Sequence, residues 1–304
     1  MTDHRPIRIA ITGLGGHSLF IQNAIEASGR YDVAAVFDPN PETARAAGER
    51  FGAAIAPTYE AMLDTDGLEA MVEVTPNFVH RVQTEQAFER GLHVFVEKPI
   101  ANTVEDGRAM IEAAERADRI LMTGHNMRYG RAARRAKQLI DDGRLGTLVS
   151  FEIHFSADNT KRIAKTAWRL DPERCPLLPV IQLGIHGFDL VDYLAGPIRR
   201  THAYARSVTT PIGVTDAVSA TFETDQDVLG TMVSTYCTPV AFEYRIAGTE
   251  GTLRCTPHRT WFRTAGETDG HGEGIAEVDD DYLHLDTESY TRQMHHFADC
   301  IRRG

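Results

Sequence analysis

Along the first 123 residues, short runs of apolar and β-branched side chains alternate with amphipathic stretches. The runs at 7–11, 33–37, 70–74, 94–96 and 120–122 show no polar alternation, and helical patterns separate them. Strands that are apolar on both faces and alternate with helices form a parallel sheet covered by helices. Residues 1–124 therefore read as an α/β, doubly wound domain. A helix with a basic outer face is expected at 131–141, and the rhythm changes at Gly143 and Gly146. Strand-like runs then succeed one another at 148–155, 201–207, 217–224, 228–235, 243–247 and 252–255, several alternating in polarity and joined by turns such as Glu250-Gly251. This predicts an α+β domain over 125–304 with a large, open, mostly antiparallel sheet covered on one face. The amphipathic segment at 289–301 is assigned to this second domain, and the Gly-rich, acidic segment at 266–281 reads as a solvated loop.

Composition narrows the classes. The chain has 304 residues, 42% hydrophobic and 25% charged, which at roughly 150 residues per domain agrees with two domains. A formal net charge of -11 argues against a nucleic-acid partner. The four cysteines form no CxxC pair, so no disulfide framework or thiolate zinc site is expected and a cytoplasmic, reducing location is the default. No metal site is expected either; the adjacent His295 and His296 cannot face one way on a helix. The polar start MTDHRP runs straight into a strand, and no apolar stretch approaches the roughly 20 residues needed to cross a bilayer, so neither export nor a membrane partner is expected.

The first strand leads into Gly13-Leu14-Gly15-Gly16-His17-Ser18 and then into a helical segment. A strand that turns on glycines into a helix N-terminus lets backbone N–H groups approach a pyrophosphate, so the turn predicts a dinucleotide site in a Rossmann domain. The third position of the GxGxxG/A pattern is Ser18, small enough for close helix-to-strand packing. After the next strand comes Asp38, whose carboxylate suits the ribose hydroxyls and repels a 2′-phosphate. No cation follows in Pro39-Asn40-Pro41, so NAD is preferred over NADP. The alternative role for Asp38 is to cap the helix starting near Pro41.

Ligands of open α/β sheets bind outside the carboxyl ends of the strands. There this chain places Thr75-Pro76-Asn77-Phe78-Val79-His80 and Glu97-Lys98-Pro99. A lysine beside a bound, positively charged nicotinamide has its ammonium form disfavoured, which suits it to acid–base work.

The glycine turn, TPNxxH, EKP, Gly124-His125-Asn126-Met127-Arg128-Tyr129, the GxLG turn at 143–146, Trp168-Arg169, and GxHxxD from Gly184 to Asp189 stand in one order. Together they resemble the glucose–fructose oxidoreductase / inositol dehydrogenase / MocA family over most of the chain. The resemblance implies a Rossmann domain, a second domain whose open sheet floors the substrate site and often forms an oligomer interface, and a homodimer or homotetramer. The implied reaction is hydride transfer between a nicotinamide cofactor and a carbinol carbon of a sugar, cyclitol, polyol or cyclic diol. It implies catalytic roles for Lys98 and His186. Gly13, Gly15, Gly16, His17, Ser18, Asp38, Thr75, Pro76, Asn77, His80, Glu97, Lys98 and Arg169 would lie along the cofactor. Asn126, Arg128, Tyr129, Trp168, Gln182 and Asp189 would face the substrate.

Imidazole, with an ordinary pKa near 6.5, suits the proton removed as hydride leaves a secondary alcohol. Gln182, His186 and Asp189 would share one face if 183–194 is an α-helix. Many relatives carry Asp where this chain has Gln182, which can hold a hydroxyl but cannot ionise. The preceding Asp171-Pro172-Glu173-Arg174-Cys175-Pro176-Leu177-Leu178-Pro179 replaces a Gly-rich loop of relatives with a stiffer, more apolar wall, which predicts a substrate less hydrophilic than a free hexose. The alternative functions are a dinucleotide-binding sensor and an enzyme that transiently oxidises a glycoside with tightly held NAD. The chain ends shortly after 289–301, where relatives continue with a helix that packs back on the Rossmann domain.

Overall fold

The computed structural model describes residues 5–163, 167–211, 213–256, 259–265, 273–277 and 287–304. The chain divides into two compact units, Met1–His125 with Thr287–Gly304, and Asn126–Asp286.

The first unit runs β1 (Ile7–Thr12), α1 (Ser18–Ser28), β2 (Tyr31–Phe37), α2 (Pro41–Phe51), β3 (Ala54–Ile55), α3 (Tyr59–Leu63), β4 (Ala70–Glu73), α4 (His80–Glu89), β5 (His93–Glu97), α5 (Val104–Ala117) and β6 (Leu121–Gly124). The strands pair in the order β3-β2-β1-β4-β5-β6, all parallel. Ile9, Ile11, Val72 and Val94 are fully buried, as apolar runs covered on both faces require. The strand order reverses between β1 and β4, which makes their carboxyl ends the switch point where such sheets bind ligands.

The final helix differs from the sequence reading. It spans Thr287–Arg303 and belongs to the first unit, not the second. Its apolar face buries Tyr290, Met294 and Phe297. Tyr290 stacks on Phe20 of α1 with ring centroids 5.7 Å apart, and Phe297 meets Phe95 of β5 at 5.8 Å. Arg30–Asp299 and Arg302–Glu69 ion pairs add to this contact, at 3.1 and 3.2 Å. The 289–301 segment thus packs on the Rossmann unit itself.

In the second unit come α6 (Arg131–Asp141), β7 (Leu148–Asp158), α7 (Ile185–Ala195), β8 (Ile198–Arg206), β9 (Ala217–Thr224), β10 (Leu229–Thr235), β11 (Cys237–Gly248), β12 (Gly251–Cys255), β13 (Arg259–Thr264) and β14 (Glu273–Glu277); the helix of the first unit at Thr287–Arg303 is α8. The sheet order is β14-β13-β12-β11-β7-β10-β9-β8, and only β7 and β10 pair in parallel. One face packs Phe151, Ile153, Phe155, Met232 and Ile246 against Ala136 and Leu139 of α6 and Leu190, Val191 and Leu194 of α7. The alternate positions Leu229 and Val233 of β10 are exposed, as a period-2 strand with one covered face demands. Of the segment at 266–281 read as a loop, 273–277 pairs as the edge strand and the remainder lies outside the described residues.

Candidate active site

The chain leaves β1 at Gly13, where φ is +78° and a Cβ would lie 2.5 Å from the Val74 carbonyl. Only glycine allows β1 and the end of β4 to cross this closely. At Gly15 and Gly16 the opposite holds, since no atom lies within 4 Å of where their Cβ atoms would be. The turn thus presents bare backbone to open space at the start of α1, whose first turn has neither a side-chain cap nor an acid. The Ser18 and Phe20 N–H groups bond back to the Gly15 and His17 carbonyls, and the helix dipole at the open turn favours a phosphate. Ser18 fills the third glycine position by turning inward: it is buried, and its Oγ donates to the Gly15 carbonyl at 2.8 Å and accepts from Gln22 Nε2 at 2.8 Å.

Asp38 follows β2 and binds the glycine turn itself. One carboxylate oxygen accepts from the Leu14 N–H at 2.7 Å, the other from the Asn40 N–H at 2.8 Å. The cap of α2 is Asn40, whose side chain accepts from the Glu42 N–H, so the capping alternative for Asp38 does not hold.

At the end of β4 sits a residue the sequence reading passed over. Glu73 is fully buried and accepts from Thr75 Oγ1 and Thr84 Oγ1, each at 2.9 Å. The single Thr75 hydroxyl proton also faces Gln83 Oε1 at 3.0 Å. A proton on Glu73 resolves that shortage of donors, and burial, opposed by the two threonine hydroxyls, pushes its carboxyl up to about 8. Its only trace in the sequence is an acid closing the apolar run Ala-Met-Val-Glu.

His80 is buried and works as a clasp. Its Nε2 lies 3.0 Å from the Thr75 carbonyl and its Nδ1 2.9 Å from the Pro99 carbonyl, so one ring ties the TPN loop to the EKP loop. Burial pushes its imidazolium down, against the pull of those carbonyls and of Glu97. Pro76 precedes the short turn Asn77–Val79, and the buried Asn77 donates its amide to Asn102.

Glu97 closes β5, buried, with Oε2 accepting from the Lys98 N–H at 3.1 Å and 3.5 Å from His17 Nε2. Its Oε1 has no partner among the described residues. Burial raises the Glu97 carboxyl, but His17, Lys98 and His125 outweigh this and hold it below the usual range. Lys98 is half-buried, directly after the strand. The first unit therefore gathers the glycine turn, Asp38, Thr75–His80, Glu97 and Lys98 at the carboxyl ends of β1, β2, β4 and β5. The open glycine turn at the start of α1 and the orphaned Glu97 oxygen fit a dinucleotide.

The second unit arranges its residues differently. Asn126 is buried and Tyr129 half-buried on the turn before α6. Arg128 there pairs with Asp189 of α7 through both carboxylate oxygens, one contact being Nε at 3.1 Å, and lies over the Tyr193 ring at 5.4 Å. Arg128 and Asp189, both expected at the substrate, hold each other. Gln182 lies on a π turn, Val180–Gly184, that feeds into α7. The wider turn breaks the single α-helical face expected for Gln182, His186 and Asp189. At Gly184 and Gly187 a Cβ would meet Met232 Sδ at 3.1 Å and Ile153 at 2.8 Å, so this face of the helix lies on the sheet. His186, half-buried, projects off that line by the helical rotation of about 100° per residue.

Gln182 Oε1 accepts from Arg169 Nε at 3.2 Å, and its amide is 3.8 Å from Cys175 Sγ. The Arg169 guanidinium stacks over Trp168 at 4.6 Å. Along the Pro-rich stretch, Cys175 and Leu178 are buried with Val214 and Tyr236, while Leu177 is 47% exposed at φ +51°. The apolar wall expected there is thus mostly core, with Leu177 alone of these facing outward.

Residues 7–125 match the family model described as an oxidoreductase family with an NAD-binding Rossmann fold, and residues 133–254 match the GFO/IDH/MocA C-terminal domain. The chain belongs to the GFO/IDH/MocA oxidoreductase family. Relatives in this family include glucose-6-phosphate 3-dehydrogenase of Bacillus subtilis, 30% identical over 188 residues, a match covering 62% of this chain and 53% of that one. D-Xylose 1-dehydrogenase (NADP(+)) 2 of Haloferax volcanii is 28% identical over 97% of this chain and 88% of its own. Among solved structures, levoglucosan dehydrogenase in complex with NADH superposes with a TM-score of 0.89 at 20% identity, covering 98% of this chain and 90% of that one, which shows a common fold. The GFO/IDH/MocA membership accounts for the motif order and for both sheets.

Proposed function

We propose that this protein is an NAD-linked dehydrogenase acting on a carbinol carbon of a sugar, cyclitol, polyol or cyclic diol. The observation that carries this reading is the Gly13–Ser18 turn, with open backbone at Gly15 and Gly16 and the Asp38 carboxylate bonded to its Leu14 N–H. Asp38 and the absence of a cation in Pro39-Asn40-Pro41 favour NAD over NADP. The relatives' names differ on this point, one specifying NADP(+) and one NADH.

When bound, the nicotinamide supplies the hydride acceptor or donor. His186 takes up the hydroxyl proton, and Lys98 holds the hydroxyl oxygen and stabilises the alkoxide that develops on it. Gln182 holds a second hydroxyl without ionising. Among the described residues no helix is long and apolar enough to cross a membrane, and none of the four cysteines forms a disulfide. The exposed Val149, Leu229 and Val233 on the open sheet support a homodimer or homotetramer. A sensor that kept the dinucleotide site is the second reading, favoured by Gln182 standing where an ionising partner of His186 would.

The test is to incubate the protein with NAD over a panel of polyols, sugars and cyclic diols and follow NADH absorbance. NADH formation on one class supports the dehydrogenase. NAD binding without turnover on any of them supports the sensor.

A further inference from the structure

We propose that Gln293 of α8 is a positioning residue for Glu97, its amide reaching the Oε1 atom of that carboxylate through one bridging water, so that the final helix takes part in the dinucleotide site. The proposal rests on the dinucleotide reading of the first unit and adds a residue to it.

Gln293 is fully buried, and among the described residues neither its amide nitrogen nor its amide oxygen has a hydrogen-bond partner. An amide withheld from water in this way is costly unless its surroundings answer it. The course of α8 shows what those surroundings are. Its N-terminal end lies at the carboxyl ends of the strands, where Tyr290 meets the His17 ring at 6.4 Å, and its C-terminal end lies at the amino ends, where Arg302 pairs with Glu69 just before β4. Tyr290, Gln293 and Phe297 share one face of the helix by their spacings of three and four. Phe297 meets Phe95 of β5 at 5.8 Å. Glu97 points to the same face of the sheet as Phe95 and lies about 6.6 Å farther towards the carboxyl end. Gln293 lies about 6 Å from Phe297 in the same direction. His17 closes the frame, since the ring that Tyr290 touches has its Nε2 3.5 Å from Glu97 Oε2. The buried carboxylate level with Gln293 is therefore Glu97.

Its Oε1 is also without a hydrogen-bond partner among the described residues, and leans over β6, where a Cβ on Gly124 would lie 2.8 Å from it. An amide donor and a carboxylate acceptor, both buried and not bonded directly, are what one internal water joins. A carboxylate oxygen accepts more than one hydrogen bond, so this bridge leaves Oε1 able to meet the dinucleotide as well. The other titratable groups around Glu97 are His17 on the glycine turn, Lys98 next in sequence, His125 after β6 and His80 between the two loops. On α8 are Tyr290 and the mutually paired Glu288 and Arg292. Glu73 closes β4 in register with Val96 and so faces the other side of the sheet, towards Thr84.

The first arm of the test uses no cofactor: Tm is measured from pH 5 to 8 for the wild type, Gln293→Leu, Glu97→Gln and the double variant. Leucine keeps the bulk and removes the amide. If the amide serves Glu97, leucine leaves a buried carboxylate short of a donor and raises its pKa, so Tm falls, most near pH 8 where Glu97 is ionised and less towards pH 5 as it takes up a proton. On the Glu97→Gln background this pH-dependent deficit is expected to vanish. The second arm titrates NAD and NADH. Because Glu97 stands beside Lys98, its charge favours the positive, oxidised nicotinamide; in Gln293→Leu the ratio of the NAD to the NADH Kd is expected to rise about tenfold from pH 8 to pH 6, the scale of a charge pair several ångströms apart, and to stay flat in the wild type and in both Glu97→Gln proteins. A Tm change of one size at every pH, or a pH-dependent deficit that survives Glu97→Gln, overturns the proposal. A deficit that depends on Glu97 while the NAD to NADH ratio stays unchanged also overturns it, by separating the pair from the cofactor. Should Gln293→Leu fail to fold, Gln293→Asn, one methylene shorter, carries the same two arms. A wild type that binds neither dinucleotide contradicts the dinucleotide reading, and the melts still decide whether Gln293 serves Glu97.

Discussion

At the Gly13–Ser18 turn the functional surface is backbone: open space beside Gly15 and Gly16, a strand crossing that tolerates no Cβ, and a carboxylate, Asp38, that grips the turn. At the π turn before α7 it is side chains gripping one another, Arg169 on Gln182 and Arg128 on Asp189. The first arrangement is dictated by conformations that few residue types can adopt. The second is a set of pairings, any one of which could be re-dealt without disturbing the fold. This contrast suits a common cofactor grip in the first unit and variable substrate recognition in the second.

The contrast breaks most visibly at the glycines. Gly13→Ala is expected to destabilise the protein by about 3 kcal/mol or more, from the left-handed backbone and the clash with Val74, lowering Tm by roughly 10 °C. Gly16→Ala is expected to leave Tm within a degree or so while weakening NAD about tenfold, since its Cβ would enter only the space opposite the amides. Thermal melts and NAD titrations of both variants distinguish the two; equal Tm losses would mean that Gly16 is also a packing residue.

Next in size is the lysine. Lys98→Ala is expected to lower kcat/KM by about a hundredfold or more, the scale of losing a group that stabilises a developing oxyanion, with NAD affinity changed far less. Turnover near the wild type would remove Lys98 from the chemistry.

A smaller and pH-dependent effect belongs to Glu73. Its folded carboxyl titrates at about 8 against an ordinary 4.5. Between those values the folded chain keeps a proton that the unfolded chain has released. The stability this group contributes is therefore full below pH 4.5 and is lost as pH rises to 8, at up to about 1.4 kcal/mol per pH unit. Glu73→Gln removes that slope, so its Tm should match the wild type near pH 5 and exceed it by several degrees near pH 9. Parallel Tm curves for the two proteins would show that Glu73 is ionised in the folded state.

Much of this was legible in the residues. Unbroken apolar runs announced the parallel sheet, the glycine cluster its phosphate turn, and the order of the motifs through GxHxxD the family. What escaped has a physical reason in each case. The amphipathic face at 289–301 shows that the helix is covered but not by what, and only the structure places it on α1 and β5. The π turn is a shift in backbone hydrogen bonding, for which Val-Ile-Gln-Leu-Gly has no distinctive composition. That Arg128 and Asp189 pair with each other has no sign in their spacing, and a buried acid such as Glu73 reads from sequence as an ordinary strand end.

Titration of NAD and NADP into the wild type and Asp38→Ala tests the dinucleotide site most directly. The wild type is expected to bind NAD more tightly than NADP, and the variant to bind NAD more weakly with the gap between the two narrowed. Failure of the wild type to bind either dinucleotide would contradict the cofactor assignment on which the proposed hydride transfer depends.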